Sequence, residues 1–265
     1  MRPIYIFLIL YTTLFGFDFC PEPTFIDEFE DGNVSKNWVV SNGFSFGGSA
    51  SLFSSDNVKV EDGYLILSLN YVSTTDDKGK KYLATSGGVK SKLAFGYGKY
   101  EFRVQTRGLK GVREGLEISW DGGDYFKHHE TIGYSFQKTG YLTMLVTGVG
   151  KKNEFYVYHM TNMDPVTHQP EALNLQPHAW TIDYLPDSIT WYFDEEPIRK
   201  EVADVKNLPT HKMNVAFNNW LADEAKYSVS ADNMPIELTV DYFKFTPLNM
   251  DENSCKPIKS IEENE

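Results

Sequence analysis

The chain has 265 residues and a formal net charge of −12, and aromatic residues make up 15% of it. A surface of that charge repels phosphate backbones and anionic lipid headgroups, which makes nucleic acids and acidic membranes poor partner candidates. The length suits a single all-β domain, and the abundance of tyrosine and phenylalanine favours strands over helices.

Residues 1–19 have the pattern of a secretory signal peptide that is removed from the mature protein. Arg2 precedes an apolar run from Ile4 to Leu10, and the small residue Gly16 stands near the expected cleavage point. The run is too short to span a bilayer, and an uncleaved anchor is the alternative interpretation. With no second apolar stretch of spanning length, the sequence predicts a secreted protein, extracellular or associated with a cell wall, without a membrane anchor.

Two cysteines, Cys20 and Cys255, stand near the two ends of the remaining chain. Export places them in an oxidising compartment, and the ends of a compact domain are often close in space. We therefore expect a Cys20–Cys255 disulfide, with two free or intermolecular thiols as the alternative. Asn33, in the sequence Asn-Val-Ser, is a candidate N-glycosylation site in a turn-like stretch.

Residues 20–248 form a succession of short strand-favouring runs separated by Gly, Asn, Asp and Pro. In Lys99–Val104 aromatic and aliphatic side chains alternate with charged ones, as in a strand with one buried face. Many short strands at close spacing predict a β-sandwich or jelly roll, and the charged segment 249–265 is expected to be a tail outside it. The predicted strands include Tyr64–Tyr71, Lys99–Thr106, Tyr141–Thr147, Phe155–Met160, Ala179–Tyr184, Ser188–Phe193, Met213–Phe217 and Ile236–Phe245.

Several blocks of the sequence, taken in order, resemble a known family. The most specific block is Gly87–Lys92 followed by Tyr97–Arg103. The others are Phe25–Phe29 with Trp38, Asp62–Leu65, His178–Tyr184 with Asp187–Asp194, Pro197–Arg199, Asn219–Glu224 and Val240–Lys244. Together they resemble the glycoside hydrolase family 16 domain, particularly its lichenase, xyloglucan transglycosylase and fungal cell-wall transglycosylase branches.

This resemblance implies an all-β fold, a concanavalin-like β-jelly-roll sandwich of two antiparallel sheets with a concave sugar-binding cleft. It implies a polysaccharide partner, either a β-glucan or another cell-wall glycan. A monomer without a cofactor is expected, although relatives of this fold sometimes carry a structural calcium ion.

The family carries three carboxylates on one strand, in a motif of the form Glu-Ile-Asp-x-Glu, and side chains two residues apart share a strand face. Counted at the family's interval from Tyr97, this motif falls on residues 130–134. The resemblance then makes Glu130 the nucleophile, whereas Ile132 stands at the middle aspartate position and Tyr134 at the acid/base position. Because tyrosine is a poor proton donor near neutral pH, this pattern predicts little or no hydrolysis.

Two other interpretations of the acidic residues stay open. The segment Glu117–Asp121 also spaces two acidic residues four apart, but it comes 13 residues before the expected position. Alternatively, Glu130 is an ordinary solvated strand residue.

Aromatic and polar residues of the cleft are predicted as well. Trp220 is the preferred stacking residue for a sugar ring, because it follows a strand in a turn-like stretch. Further candidates for substrate binding are Tyr125, His128, Lys90, Asn218 and Asp223, whereas Trp38, Trp180 and Trp191 are expected in the core. The adjacent His128 and His129 would point to opposite faces of a strand, so no metal site is predicted.

Three functions are compatible with these residues. The first is a secreted protein that binds a β-glucan or related polysaccharide with little or no hydrolytic activity. The second is an active retaining β-glucan endohydrolase or transglycosylase that uses Glu130 as nucleophile and takes an acid from Glu117, Asp124 or Glu154. The third is a secreted structural or interaction protein without sugar binding.

Overall fold

Segments in which polar and apolar residues alternate form strands of this protein, and strands make up nearly all of the regular structure in the described residues. The structure, a computed structural model, describes residues 24–107, 109, 111–120, 122, 130–136, 141–148, 151–160, 176–202, 208–223, 229 and 231–248. The predicted signal peptide, both cysteines and the tail 249–265 lie outside the described residues.

Eighteen strands are present in the described part of the chain. The first nine are β1 (Phe25–Asp27), β2 (Trp38–Val40), β3 (Ser51–Phe53), β4 (Val58–Glu61), β5 (Tyr64–Asn70), β6 (Thr74–Thr75), β7 (Lys81–Tyr82), β8 (Ala84–Phe95) and β9 (Gly98–Gln105). The others are β10 (Val112–Trp120), β11 (Glu130–Phe136), β12 (Tyr141–Gly148), β13 (Lys151–Met160), β14 (His178–Tyr184), β15 (Ile189–Phe193), β16 (Glu196–Glu201), β17 (Met213–Leu221) and β18 (Ile236–Pro247). Short 3-10 helices occupy Val34–Lys36, Ser55–Asn57 and Ala231–Asn233.

The strands form two layers that share one long strand. Sheet 1 has the order β13-β12-β11-β10-β17-β8, with β2 paired to β8. Sheet 2 has the order β5-β18-β9-β14-β15-β16, with β1 paired to β18 and β4 paired to β5. Strand β8 belongs to both layers, because Thr85 and Ser86 pair with β5 whereas later residues pair with β17. Pairing is antiparallel throughout these two orders, and the short β3 runs parallel to β8.

The two layers pack against each other through one aromatic-rich core. Leu116, Ile132 and Phe217 enter this core from sheet 1, and Phe102 enters it from sheet 2. The predicted core tryptophans are confirmed, since Trp38, Trp180 and Trp191 are each no more than 1% exposed. Burying side chains of this size removes much apolar surface from water, which is the main force that holds two sheets together.

The eight strands predicted from strand-favouring runs are all present, with shifts of a few residues at their ends. The largest shifts are of four residues: β13 begins at Lys151 instead of Phe155, and β17 continues to Leu221 and so contains Trp220, contrary to the prediction of a turn there. No helix in the described residues is long and apolar enough to cross a bilayer.

Candidate glycan-binding face

Strand β11 carries the residues that the count from Tyr97 placed on the catalytic motif, and its side chains alternate between two faces. Ile132, Tyr134 and Phe136 are at most 1% exposed and belong to the core between the sheets. Successive strand residues point to opposite faces, so Thr131, Gly133 and Ser135 lie on the side away from the core. Ile132 and Tyr134 therefore do not line a cleft floor, and this part of the sequence prediction is corrected.

Tyr134 has a structural role at the centre of the sandwich. Its hydroxyl donates a hydrogen bond to the Thr181 carbonyl oxygen at 2.6 Å and accepts one from the Tyr192 backbone N–H at 2.9 Å. Burial raises the pKa of this hydroxyl well above its usual value. Tyr134 of sheet 1 thus satisfies backbone groups of β14 and β15 in sheet 2, and it stays a neutral phenol that no sugar reaches.

Glu130 is also engaged inside the protein. The residue is 3% exposed. One carboxylate oxygen accepts hydrogen bonds from the backbone N–H groups of Thr210 at 3.1 Å and His211 at 3.3 Å. The same oxygen lies 3.1 Å from Nδ1 of His211. The carboxylate therefore connects the start of β11 to the segment before β17. Glu130 is thus neither a solvated strand residue nor a nucleophile that faces open space.

A shift of one residue reconciles the family motif with this geometry. Because side chains alternate along a strand, moving the register by one residue exchanges the two faces. The positions of β11 that face away from the core are Thr131, Gly133 and Ser135, and none of them is acidic. The apolar alternation of Ile132, Tyr134 and Phe136 was the signal in the sequence that could have identified the core side.

The surface of sheet 1 away from the core is called the outer face here. Its central rows follow from the register: Glu117 pairs with Gly133 and Ala216, and Gly115 pairs with Ser135 and Asn218. The outer face of β10, β11 and β17 consists of Arg113, Gly115, Glu117, Ser119, Thr131, Gly133, Ser135, Asn214, Ala216, Asn218 and Trp220. It combines hydroxyl, amide and charged groups with one indole, a mixture that suits a polar ligand such as a sugar.

Glu117 is the carboxylate of this face. It is partly buried, and burial raises its pKa to about 7, although the nearby Arg113 charge and a hydrogen bond with Asn218 act in the opposite direction. A carboxyl group with such a pKa exchanges its proton near neutrality and can both donate and accept hydrogen bonds. From the sequence, Glu117 was predicted only as part of an alternative motif frame or as one of three possible acids of an active enzyme, and not as the central carboxylate of a binding face.

Trp220 lies on the outer face but offers little of its ring. The residue is 7% exposed and packs in a second apolar cluster. The guanidinium carbon of Arg113 lies 5.0 Å from one of its ring centroids, and the Phe46 ring lies 5.5 Å away. In this arrangement Trp220 supports Arg113 through a cation–π contact, so a stacking role for Trp220 requires Arg113 to move.

The other predicted binding residues are distributed around the same face. Asn218 is 5% exposed and central, whereas Asp223 is exposed just beyond the end of β17. Lys90 of β8 pairs with Ala216 and lines a surface pocket of about 530 Å³ together with Val39, Asn42 and Phe44. Tyr125 and His128, like Asp124, lie outside the described residues, as does the side chain of Glu154.

Trp120 ends β10 and stacks on His211 rather than facing open space. Their ring centroids are 3.6 Å apart and their planes differ by 1°. His211 is the partner of Glu130, so Trp120, His211 and Glu130 form one contact cluster at this end of sheet 1. Among the residues that the structure describes, no group of three or more His, Cys, Asp or Glu side chains is arranged to hold a metal ion.

The layered antiparallel sheets define a concanavalin-like β-jelly roll. The chain matches the model of glycosyl hydrolases family 16 over residues 48–244, and it belongs to that family. The endo-1,3-1,4-beta-glycanase ExoK of Rhizobium meliloti (strain 1021) is 25% identical over 226 residues, which cover 84% of this chain and 78% of that protein. A beta-glucanase of Brevibacillus brevis is 25% identical over 236 residues, which cover 84% of this chain and 80% of that protein.

Solved structures agree with this fold. The laminarinase catalytic domain from Thermotoga maritima MSB8 superposes with a TM-score of 0.71 at 20% identity, covering 86% of this chain and 98% of that one. A lichenase derived from a mouse hindgut metagenome superposes with a TM-score of 0.69 at 18% identity, covering 85% of this chain and 99% of that one. Identities at this level demonstrate a shared fold, and function has to be argued from the site.

Proposed function

We propose that this protein is a secreted polysaccharide-binding member of glycosyl hydrolases family 16, which binds a β-glucan or a related glycan on the outer face and hydrolyses it slowly or not at all. The relatives with overall sequence similarity carry the names beta-glucanase and endo-1,3-1,4-beta-glycanase, which supports a glucan as the ligand. A neutral polymer is also indifferent to the net charge of −12.

The observation that carries the proposal is the outer face of β11. Its residues Thr131, Gly133 and Ser135 have no carboxyl group. A retaining glycosidase requires two carboxyl groups about 5 to 5.5 Å apart, one as nucleophile and one as acid and base. Among the described side chains on the outer face of β8, β10, β11, β12 and β17, Glu117 alone is acidic.

Losing the acid/base residue alone typically slows such a reaction by about 10²- to 10⁴-fold. Loss of the nucleophile at the same site removes the covalent route as well. The remaining groups of the outer face can still form hydrogen bonds with sugar hydroxyls, so we expect binding to be retained although hydrolysis is lost.

Binding and turnover are measured on the same three polymers, barley β-glucan, laminarin and xyloglucan. Affinity electrophoresis reports binding, and reducing-end release reports turnover, for the wild type and for Glu130→Gln. We expect retardation on at least one polymer and no reducing ends above the blank for either protein.

The alternative functions give different results in this assay. Turnover by the wild type that Glu130→Gln abolishes, without loss of folding, would establish a retaining enzyme that uses Glu130. Neither binding nor turnover on any of the polymers would leave a structural or interaction role. Circular dichroism of both proteins accompanies the assay, because Glu130 holds the segment before β17.

A further inference from the structure

Glu117 stands at the middle of the outer face with small residues on both sides. Its neighbours across the strands are Gly133 on β11 and Ala216 on β17. A Cβ atom added to Gly133 would lie 3.1 Å from Cγ of Glu117. The side chain of Glu117 therefore lies down over Gly133 and occupies the space where a β11 side chain would otherwise project.

Asn218 is arranged in the same way over the other glycine of this face. A Cβ atom added to Gly115 would lie 2.6 Å from Oδ1 and 2.7 Å from Nδ2 of Asn218. Asn218 is hydrogen-bonded to Glu117. The two glycines thus let an amide and a carboxyl group lie against the sheet and join into one polar unit, the Glu117–Asn218 pair.

Arg113 delimits this pair on one side. It is two residues from Gly115 on β10, close enough for its charge to act on Glu117, and its guanidinium packs on Trp220. Its Nε atom is buried and has no hydrogen-bond partner in the described part of the protein. From Arg113 to Glu117 the strand extends about 13 Å, so the polar groups are spread along a track rather than gathered at a point.

We propose that Glu117 is the specificity residue of this face: its carboxyl group, held by Asn218, hydrogen-bonds a hydroxyl of an uncharged sugar and rejects polysaccharides that carry carboxylate groups. This inference rests on the proposed glycan binding and assigns the residue that selects the glycan. A carboxyl group beside a hydroxyl-bearing ring makes strong hydrogen bonds, and a second carboxylate brought against it would be repelled. The strand pairing places Glu117 at the centre of the track, so a chain lying along the track passes over it.

Four proteins test the assignment: the wild type, Glu117→Leu, Glu117→Gln and the control Glu61→Gln. Glu61 is an exposed glutamate on β4 of sheet 2. Affinities for laminarin, barley β-glucan and polygalacturonate are measured at pH 8, where Glu117 carries its charge.

We expect Glu117→Leu to bind the neutral glucan about 10-fold more weakly, because a hydrogen bond to a charged group is lost. Glu117→Gln keeps donor and acceptor atoms, so it should lose less than about 3-fold on the neutral glucan and gain affinity for polygalacturonate. Glu61→Gln should match the wild type on all three polymers.

The outcomes separate the two proposals. If the wild type binds laminarin or barley β-glucan and Glu117→Leu binds it equally well, the role of Glu117 is refuted while glycan binding stands. If the wild type binds polygalacturonate best, or binds neither these three polymers nor xyloglucan, neutral-sugar recognition by Glu117 is refuted, and in the second case glycan binding is refuted too.

A measurement on the wild type covers the case in which Glu117→Leu does not fold. In protein with ¹³C-labelled glutamate, the side-chain carboxyl signal of Glu117 is identified by its absence from Glu117→Gln. Addition of laminari-oligosaccharides should shift this signal and leave that of Glu61 in place. An unshifted Glu117 signal at saturating oligosaccharide would overturn the assignment.

Discussion

The carboxylates on the two faces of the β10–β11 strand pair have different surroundings. Glu130 is the first residue of β11 and lies on the core side; it is 3% exposed and accepts hydrogen bonds from the backbone N–H groups of Thr210 and His211. On the outer face of β10, Glu117 is partly buried with Asn218 and Arg113 as its neighbours, and its pKa is raised to about 7. Proximity to an expected catalytic position therefore does not assign a role, because the strand face decides which groups surround the carboxylate.

The sharpest test of the comparison is a carboxylate introduced at the outer-face centre of β11, in Gly133→Asp. The new Cβ atom would lie 2.6 Å from the Leu116 carbonyl oxygen, which belongs to the backbone of β10 and cannot rotate away. We expect the free energy of unfolding to fall by about 3 kcal/mol or more, as measured by urea denaturation. Ser135→Asp, on the same face where a Cβ already exists, is the matched control and should lose much less. Equal stability of Gly133→Asp and the wild type would show that the β10–β11 spacing is not restrictive.

On the core side, Glu130→Ala is expected to destabilise the protein by about 2 to 3 kcal/mol, because two backbone N–H groups and His211 lose their acceptor. Thermal and urea unfolding check this value. Glu61→Ala, a truncation of an exposed glutamate, should change stability by less than about 0.5 kcal/mol. If Glu130→Ala is as stable as that control, the hydrogen bonds of Glu130 with Thr210 and His211 contribute nothing to stability.

Tyr134→Phe tests whether a change on the core side lowers stability without affecting glucan binding. Removing the hydroxyl leaves the Tyr192 N–H and the Thr181 carbonyl without their partner, at a cost of about 1 to 2 kcal/mol. Glucan affinity should stay unchanged, because Tyr134 is 0% exposed. The partly exposed Tyr64 provides the control substitution Tyr64→Phe. A variant that folds normally but loses glucan binding would place Tyr134 in the site after all.

The last expected effect, of similar size, concerns the pH dependence of stability. The folded-state pKa of Glu117, about 7, lies above its ordinary value of 4.5, so the folded protein binds more protons than the unfolded chain between these values. The stabilisation from the retained proton is therefore full below about pH 4.5 and is lost as pH rises through 7. Between pH 5 and pH 8, Glu117→Gln should gain about 1 to 2 kcal/mol of stability relative to the wild type, with the raised pKa discounted for partial exposure. Parallel stability curves for the two proteins over this range would contradict the burial of the charge.

Much of the fold could be predicted from sequence because alternation has a direct physical cause. A strand with one buried face must place an apolar residue at every second position, and Lys99–Val104 follows this rule within β9. Trp38, Trp180 and Trp191 are too large and apolar to remain at the surface of such strands, and they lie in the core as predicted.

The site was harder to predict because the count from Tyr97 fixes positions along the chain but not the strand face on which their side chains lie. Counting from Tyr97 put Glu130, Ile132 and Tyr134 together correctly, yet the count could not show that this set packs inward. The second error concerned Trp220, where the stretch Asn-Trp-Leu-Ala-Asp suggested a turn. Instead, the Asn219 side-chain amide donates to the Leu67 and Ile236 carbonyls at 2.9 Å each, so β17 continues past it.

Gly133 also restricts how this sequence can change. An acidic side chain introduced at this position would bring its Cβ atom too close to the β10 backbone. The substitution would therefore destabilise the fold before it could contribute to catalysis, and selection would act against it. Compensation would have to begin on the neighbouring strand, with Glu117 and the local strand separation changing first. Positions 117 and 133 are therefore expected to vary together among descendants of this chain, and the order of substitutions would matter as much as their identity.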